Sequence, residues 1–326
     1  MALGAIPIIK TNVPQTMFSF ECFNPLWGRT VNPHNEHYTC GGSSGGEAAL
    51  LALDGAVFGL GSDVGGSLRI PTSYCGIYAL KPTSNRVSRA GSRGPSNGDN
   101  GIQVAMGPMG RSVEELDMFC RAIYGLSDDH ADYTLTPVPY REFGTPKKLK
   151  FGYYTSDGFT KASPANKRAV LETVQALQKA GHECVELTDL PSGFIRTFVT
   201  WILETIQGDP QFANVMRSAG TKSFGEFSEF SVKRNEWIKA FYEKDALTEE
   251  WTKCSAEAGS VSMHKLMYKE KTPFYDPVKM KGMPVGIQII GKRFEDEKVL
   301  AMMKIVDEAL GKRGFGPGSL LGADKA

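Results

Sequence analysis

A hexamer of glycine and serine, Gly41-Gly42-Ser43-Ser44-Gly45-Gly46, stands directly before the apolar run Ala48 to Leu53 and constrains this chain more than anything else in it. By itself such a hexamer reads as a flexible linker. With a helix-forming run immediately behind it, it instead wraps a helix N-terminus, where free N–H groups favour an anion. It is not a P-loop, because Glu47 occupies the place of that motif's lysine. A second block follows, Gly59-Leu60-Gly61-Ser62-Asp63-Val64-Gly65-Gly66-Ser67-Leu68-Arg69-Ile70-Pro71, in which a short apolar strand runs into paired glycines and a serine. Paired glycines let successive N–H groups point to one side, as an oxyanion hole requires, and a serine directly after them is placed to attack the carbonyl held there. Taken alone, the second block reads equally as a glycine turn with a solvent-facing serine. Of 36 glycines, 16 fall between residues 41 and 110, so here the backbone turns tightly or approaches something closely.

Composition narrows the class without naming the chemistry. The 326 residues are 41% hydrophobic and 22% charged, an ordinary globular balance. Lys and Arg total 37 against 36 Asp and Glu, and the net charge of +1 is no electrostatic footprint for nucleic acid. No apolar run approaches the roughly 20 residues of a membrane-spanning helix. The start, Met1 to Pro7, lacks the charged and apolar regions of a signal peptide. Six cysteines at 22, 40, 75, 120, 184 and 254 show no C-x-x-C spacing. Neither a zinc site nor a disulfide framework is expected, and the reducing cytoplasm is the default location.

Several elements are legible. Ser112-Val113-Glu114-Glu115 is a capping box opening a helix with Leu116, Phe119, Cys120 and Ile123 on one face and Gly125 as its stop. Leu149 to Tyr154 reads as a strand. Ser163-Pro164 opens a helix with Val170, Val174 and Leu177 inward, ended by Gly181, and Cys184 to Leu187 reads as a strand. Pro284 to Ile290 is expected as a strand, and Asp296 to Leu310 as a helix with Val299, Met303, Val306 and Leu310 inward. Strands alternating with helices give an α/β protein. Residues 88–100 read as an exposed loop, and residues 210–275 carry aromatics among charges without a placed partner. In Lys222 to Trp237 the charges leave no contiguous interfacial face.

Together the two glycine blocks resemble the amidase signature family, with Ser67 falling 24 residues after Ser43 and Cys75-Gly76-Ile77-Tyr78-Ala79-Leu80-Lys81-Pro82-Thr83 following. Within it the chain is similar to the fungal acetamidase and fatty-acid amide hydrolase branch, on the blocks Lys10 to Met17, Trp27 to Pro33, Gly107 to Val113 and Gly282 to Gln288. The resemblance implies a mixed β-sheet flanked by helices on both sides, as one domain over residues 1–326. It implies hydrolysis of linear carboxamides through an acyl-serine intermediate, with no cofactor and no metal. Ser67 is then the nucleophile, Ser43 the middle catalytic serine held by a cis peptide bond, and Ser44 a support for that geometry. The N–H groups of Val64, Gly65, Gly66 and Ser67 are the implied oxyanion hole, Met17 lines the substrate site, and Asp63 and Arg69 hold the loop by hydrogen bonds. The implied partner is a small-molecule amide, with no nucleic acid and no integral membrane segment, and a homodimer stays open.

The family's third catalytic group is a lysine on a strand upstream of the Lys-Thr-Asn block. Lys10 is followed by Thr11-Asn12-Val13-Pro14-Gln15, which marks it as part of that later block, so the catalytic block is expected to lie before Met1. Relatives also carry a longer segment with a Pro-Ala-Gly motif ahead of Gly282, which residues 251–281 lack. The role implied for Lys81 is structural, and His34, His37, His130, His182 and His264 have no catalytic motif context. Loss of general-base assistance costs roughly 10²–10⁴ in rate, so low activity is expected of this chain. Two alternatives stay open. One is a catalytically dead remnant or regulatory isoform acting as a binding protein. The other is an amidotransferase-type subunit acting on glutamine, from which the Pro14-Gln15-Thr16-Met17 and Trp27-Gly28-Arg29-Thr30 blocks point away.

Overall fold

The computed structural model describes residues 3–17, 19–92, 103–126, 132, 134–144, 146–155, 162–187 and 276–311. The expectations for most of the 88–100 loop and for residues 210–275 lie outside them. The chain divides into two compact units, one of Met1–Lys148, Gln175–Gly181 and Asp276–Ala326, the other of Leu149–Val174 and His182–Tyr275.

The first unit opens with two short antiparallel hairpins, β1 (Phe23–Asn24) with β2 (Gly28–Arg29) and β3 (Val31–Asn32) with β4 (Asn35–Thr39). An Asn-Pro pair marks each turn. The Asn24 Oδ1 accepts from the N–H groups of Leu26 and Trp27 at 3.0 and 2.9 Å, and Asn32 Oδ1 from that of His34 at 2.9 Å, which are Asx turns. Helix α1 (Gly45–Ala52) follows the hexamer, and β5 (Gly59–Asp63) leads into α2 (Arg69–Cys75). β5 and β6 (Tyr78–Ala79) both pair antiparallel with β7 (Ala105–Gly110), in the order β5–β7–β6 with Gly59 opposite Met109 and Asp63 opposite Ala105. Ala48, Ala49, Leu51, Leu68 and Met109 fill the core here, joined by Cys22, Cys40 and Cys75, which pack as small apolar groups.

Helix α3 (Val113–Ile123) is capped as its sequence expects: Ser112 Oγ accepts from the Glu115 N–H at 3.2 Å. The return bond goes one residue further back, from the Arg111 N–H to Glu115 Oε2 at 2.6 Å. Gly125 ends the helix with φ +81°, a region open to glycine at little cost. Ser112→Ala is expected to lower stability by about 1 kcal/mol, read as a smaller midpoint in urea. An unchanged midpoint would show that the Arg111 bond alone holds this end.

In the second unit β8 (Lys150–Tyr153) and β9 (Glu183–Glu186) pair in parallel, Lys150 opposite Glu183, as strands joined through a helix do. The chain between them carries helix α4 (Pro164–Lys179), with Val174 and Leu177 buried as its apolar stripe expects. Parallel and antiparallel pairs together bear out the α/β class. Among the described residues no helix is long and apolar enough to cross a membrane.

Helix α5 (Asp296–Leu310) returns to the first unit, where Val299 and Leu300 join Leu80, Val113, Leu116 and Phe119 in a second core cluster. Its first turn carries two acids that meet a buried cation. Arg86 donates to Asp296 Oδ2 at 2.7 Å and to Glu297 Oε1 at 2.7 Å, gives further bonds to the Val138 and Pro139 carbonyls, and lies 3.7 Å from the Tyr124 ring centroid. Asp296 Oδ1 also accepts from the Thr83 N–H at 2.8 Å. Pro284 to Ile290, by contrast, does not form a strand. A strand exists only through a ladder partner, which apolar content cannot specify; here the Gly286 N–H donates to Ser73 Oγ at 3.2 Å instead.

Candidate active site

One main-chain hydrogen bond joins the two glycine blocks: the Ser44 N–H donates to the Ser67 carbonyl at 3.2 Å. The Ser44 hydroxyl accepts from the Ser62 N–H at 3.3 Å and donates to the Ser62 carbonyl at 3.4 Å. Ser44 stands at the N-cap of α1, yet its hydroxyl is given to β5 rather than to the helix. Ser43 and Ser44 are buried, Ser67 is half-buried, and the Gly42–Ser43 peptide is cis. The structure thus brings the Ser43-Ser44 pair and Ser67, distant in sequence, to one place.

The hexamer's glycines make that approach possible. A Cβ on Gly42 would stand 2.5 Å from the Ser19 carbonyl oxygen, and one on Gly46 would stand 2.4 Å from that of Asn12. The Lys10 to Met17 block is therefore threaded against the hexamer. Asn12 anchors it, donating to the Gly28 carbonyl at 3.3 Å and to Thr30 Oγ1 at 3.0 Å, while Thr11 Oγ1 donates to Glu47 Oε2 at 2.6 Å in the first turn of α1. Met17 closes a 3-10 turn two residues before Ser19, with φ +60°. Its N–H donates to the Pro14 carbonyl at 3.1 Å, which closes that turn.

The loop that carries Ser67 is clamped from within. Asp63, fully buried at the end of β5, accepts from the Gly66 N–H at 2.8 Å, from the Leu68 N–H at 3.1 Å, and from Arg69 Nε and Nη2 at 2.9 Å each. Asp63 and Arg69 hold the loop as the sequence implies. Burial pushes the Asp63 carboxyl up, but the Arg69 bonds and charge, with the Gly66 N–H, outweigh it and hold the group below the ordinary carboxylate value. Lys81 lies in the same field: burial pushes its ammonium below the ordinary lysine value, with Asp63 and Asp296 opposing and Arg69 assisting. Of the four N–H groups expected in the oxyanion hole, that of Gly66 is already given to Asp63. Those of Val64, Gly65 and Ser67 take no hydrogen-bond partner among the described residues.

A depressed carboxyl pKa stabilises the fold above its unfolded value and is lost as pH falls through the folded one. Stability is therefore expected to hold down to about pH 4 and then to fall, and Asp63→Asn is expected to flatten that acid slope. Urea midpoints between pH 6 and pH 3 measure it; an acid slope unaltered in the variant would place the titration elsewhere.

The remaining residues fall outside this cluster. Lys10 is exposed, His34 Nε2 meets the Cys75 carbonyl at 2.9 Å, and His182 stands edge-on to Phe151 in the second unit. His130 and His264 lie outside the described residues. No group of three or more His, Cys, Asp or Glu side chains is placed to hold a metal ion among the described residues. Asn12, Thr11 and Ser62 were not foreseen as parts of the site. Their bonds are tertiary, and only the position of Thr11-Asn12 within a recognisable block hinted at them.

Residues 1–265 match the Amidase family. Over 184 residues the chain is 45% identical to the fatty-acid amide hydrolase 1 of Sus scrofa, covering 56% of this chain and 32% of that one. Over 383 residues it is 28% identical to the acetamidase of Emericella nidulans, covering 94% and 69% respectively. A solved structure of a fatty acid amide hydrolase superposes with a TM-score of 0.72 at 25% identity, over 93% of this chain and 65% of that one. The chain spans about a third of the length of the fatty-acid amide hydrolases of Sus scrofa and Caenorhabditis elegans that it matches.

Proposed function

The chain belongs to the amidase family, and from that premise we propose that it hydrolyses linear carboxamides through an acyl intermediate on Ser67. The observation that carries this reading is the Ser44 N–H bond to the Ser67 carbonyl, which sets the serine pair of one block beside the serine of the other. Ser67 Oγ attacks the amide carbon while its proton passes to Ser43, and Ser43 gives its own proton to the leaving nitrogen. The oxyanion takes the N–H groups of Val64, Gly65 and Ser67, whose loop Asp63 holds in place before substrate arrives. Water then attacks the acyl carbon, releasing the carboxylic acid and restoring the Ser67 hydroxyl. Met17 is proposed to border the acyl side. The five described cysteines are free thiols, which supports a reducing, cytoplasmic location.

Incubation with a primary carboxamide is expected to release ammonia, and acid quenching to trap the acyl group on the peptide that contains Ser67. An acyl group recovered on Ser43 instead would reverse the two roles. Ammonia release with the acyl group on neither serine would reject the reading.

A further inference from the structure

Two of the buried thiols share one spot at the first turn of α1, and the proposed chemistry uses neither. A Cβ on Gly45 would meet Cys22 Cβ at 2.7 Å, Cys40 Sγ at 2.8 Å and Cys22 Sγ at 3.4 Å, so both sulfurs border the volume of a single methyl group. Both residues are wholly buried, yet Cys22 lies between exposed Glu21 and Phe23 on the approach to β1, one side chain beneath the surface. Against the opposing effect of burial, the neighbouring Cys40 thiol, with Thr30 and the Gly46 N–H, lowers the Cys22 thiol below its ordinary value. The Glu21 carboxylate opposes that shift. The same contact raises Cys40, which therefore stays protonated. When protonated, Cys22 donates to the Asn12 carbonyl and Cys40 to the Thr30 carbonyl, each at 3.2 Å. Cys75 is the third thiol nearby, and its sulfur reaches the Cys40 carbonyl at 3.5 Å.

We propose that Cys22 and Cys40 form an oxidisable dithiol, a modification site that closes to a disulfide with a peroxide. The Cys22 thiolate attacks one peroxide oxygen and the O–O bond breaks, leaving a sulfenic acid on Cys22 and a hydroxide that takes up the displaced proton as water. The Cys40 sulfur then attacks the Cys22 sulfur, the S–O bond breaks, and the hydroxyl departs with the Cys40 proton as a second water. Two thiols lose two electrons and one peroxide becomes two waters. The bridge ties the strand approach at Cys22 to the segment that enters the hexamer three residues before Ser43. It stands whether or not Ser67 is a nucleophile.

The reduced 326-residue chain is treated with hydrogen peroxide, alkylated after denaturation and digested without reductant. The expected product has lost the mass of two hydrogens and yields one linked peptide pair holding Cys22 and Cys40, reversed by dithiothreitol, with Cys75 and Cys120 alkylated. Cys22→Ser and Cys40→Ser are each expected to abolish the pair, and Cys75→Ser to leave it unchanged. In Cys40→Ser, dimedone is expected to trap the sulfenic acid on Cys22. Recovery of Cys22 and Cys40 as separate alkylated thiols from the treated wild-type chain, a bridge through Cys75, or a link between two copies overturns the proposal, and these readouts need no variant to fold.

Discussion

Ser67→Ala is expected to abolish covalent labelling by a fluorophosphonate while leaving the thermal midpoint unchanged. The bond that joins the two glycine blocks uses the Ser67 main-chain carbonyl, so alanine keeps it and removes only the hydroxyl. In serine hydrolases loss of the nucleophile costs on the order of 10⁶ in kcat, which puts residual labelling below detection. Ser43→Ala is expected to retain labelling at Ser67, slowed by roughly 10²–10⁴, because in the proposed mechanism Ser43 carries a proton and is not the attacking atom. Labelling of Ser67→Ala equal to that of the wild type would end the assignment.

The largest stability effect is expected at Arg86. Its side chain has 0% exposure, and Glu297 opposite it has 2%. Arg86→Met removes the buried cation from the carboxylates of two consecutive residues, leaving Glu297 only the exposed Arg141 at 3.8 Å, and breaking one half of a buried ionic cluster costs about 3–5 kcal/mol. At about 2–4 °C per kcal/mol, the thermal midpoint is expected to fall by roughly 10 °C. A second measurement separates charge from lost packing. In the wild type burial pushes the Glu297 carboxyl up, and the Arg86 bonds overcome this and hold it below the ordinary value. Without Arg86 its pKa is expected to rise above the unfolded value, so the folded state binds the extra proton and lowering the pH from 7 to 5 restores part of the loss. A loss that did not shrink at pH 5 would mean that packing against the Tyr124 ring, not charge, is what Arg86 supplies.

What could be read from the residues alone follows the range of the forces involved. Ser112 and Gly125 act on their own neighbours, so α3 was legible from Val113 to Ile123, and α5 was legible from the apolar repeat Val299, Met303, Val306 and Leu310 without any side-chain cap. Pro284 to Ile290 has a strand's composition, but a ladder needs a partner that its own residues do not name. The β1–β2 and β3–β4 hairpins escaped notice because strands of two to five residues are too short to show alternation, although Asn24-Pro25 and Asn32-Pro33 flag both turns. At the site, Ser43 and Ser67 stood out through their glycine settings. That the Ser44 N–H meets the Ser67 carbonyl, and that the Gly66 N–H turns inward to Asp63, depends on packing. Glycine spacing shows where the backbone is free to turn, not where each N–H ends up.

The carboxylates that neutralise Arg86 are 210 and 211 residues further along the chain. A ribosome adding about 5–20 residues per second needs roughly 10–40 s to cross that stretch. For that interval the guanidinium has its Tyr124 ring and Val138 and Pro139 carbonyls but neither carboxylate, and Leu80, Val113 and Leu116 lack Val299 and Leu300. The core around the two glycine blocks draws only on residues between Cys22 and Met109, so it can close far earlier, and only the second cluster waits for α5.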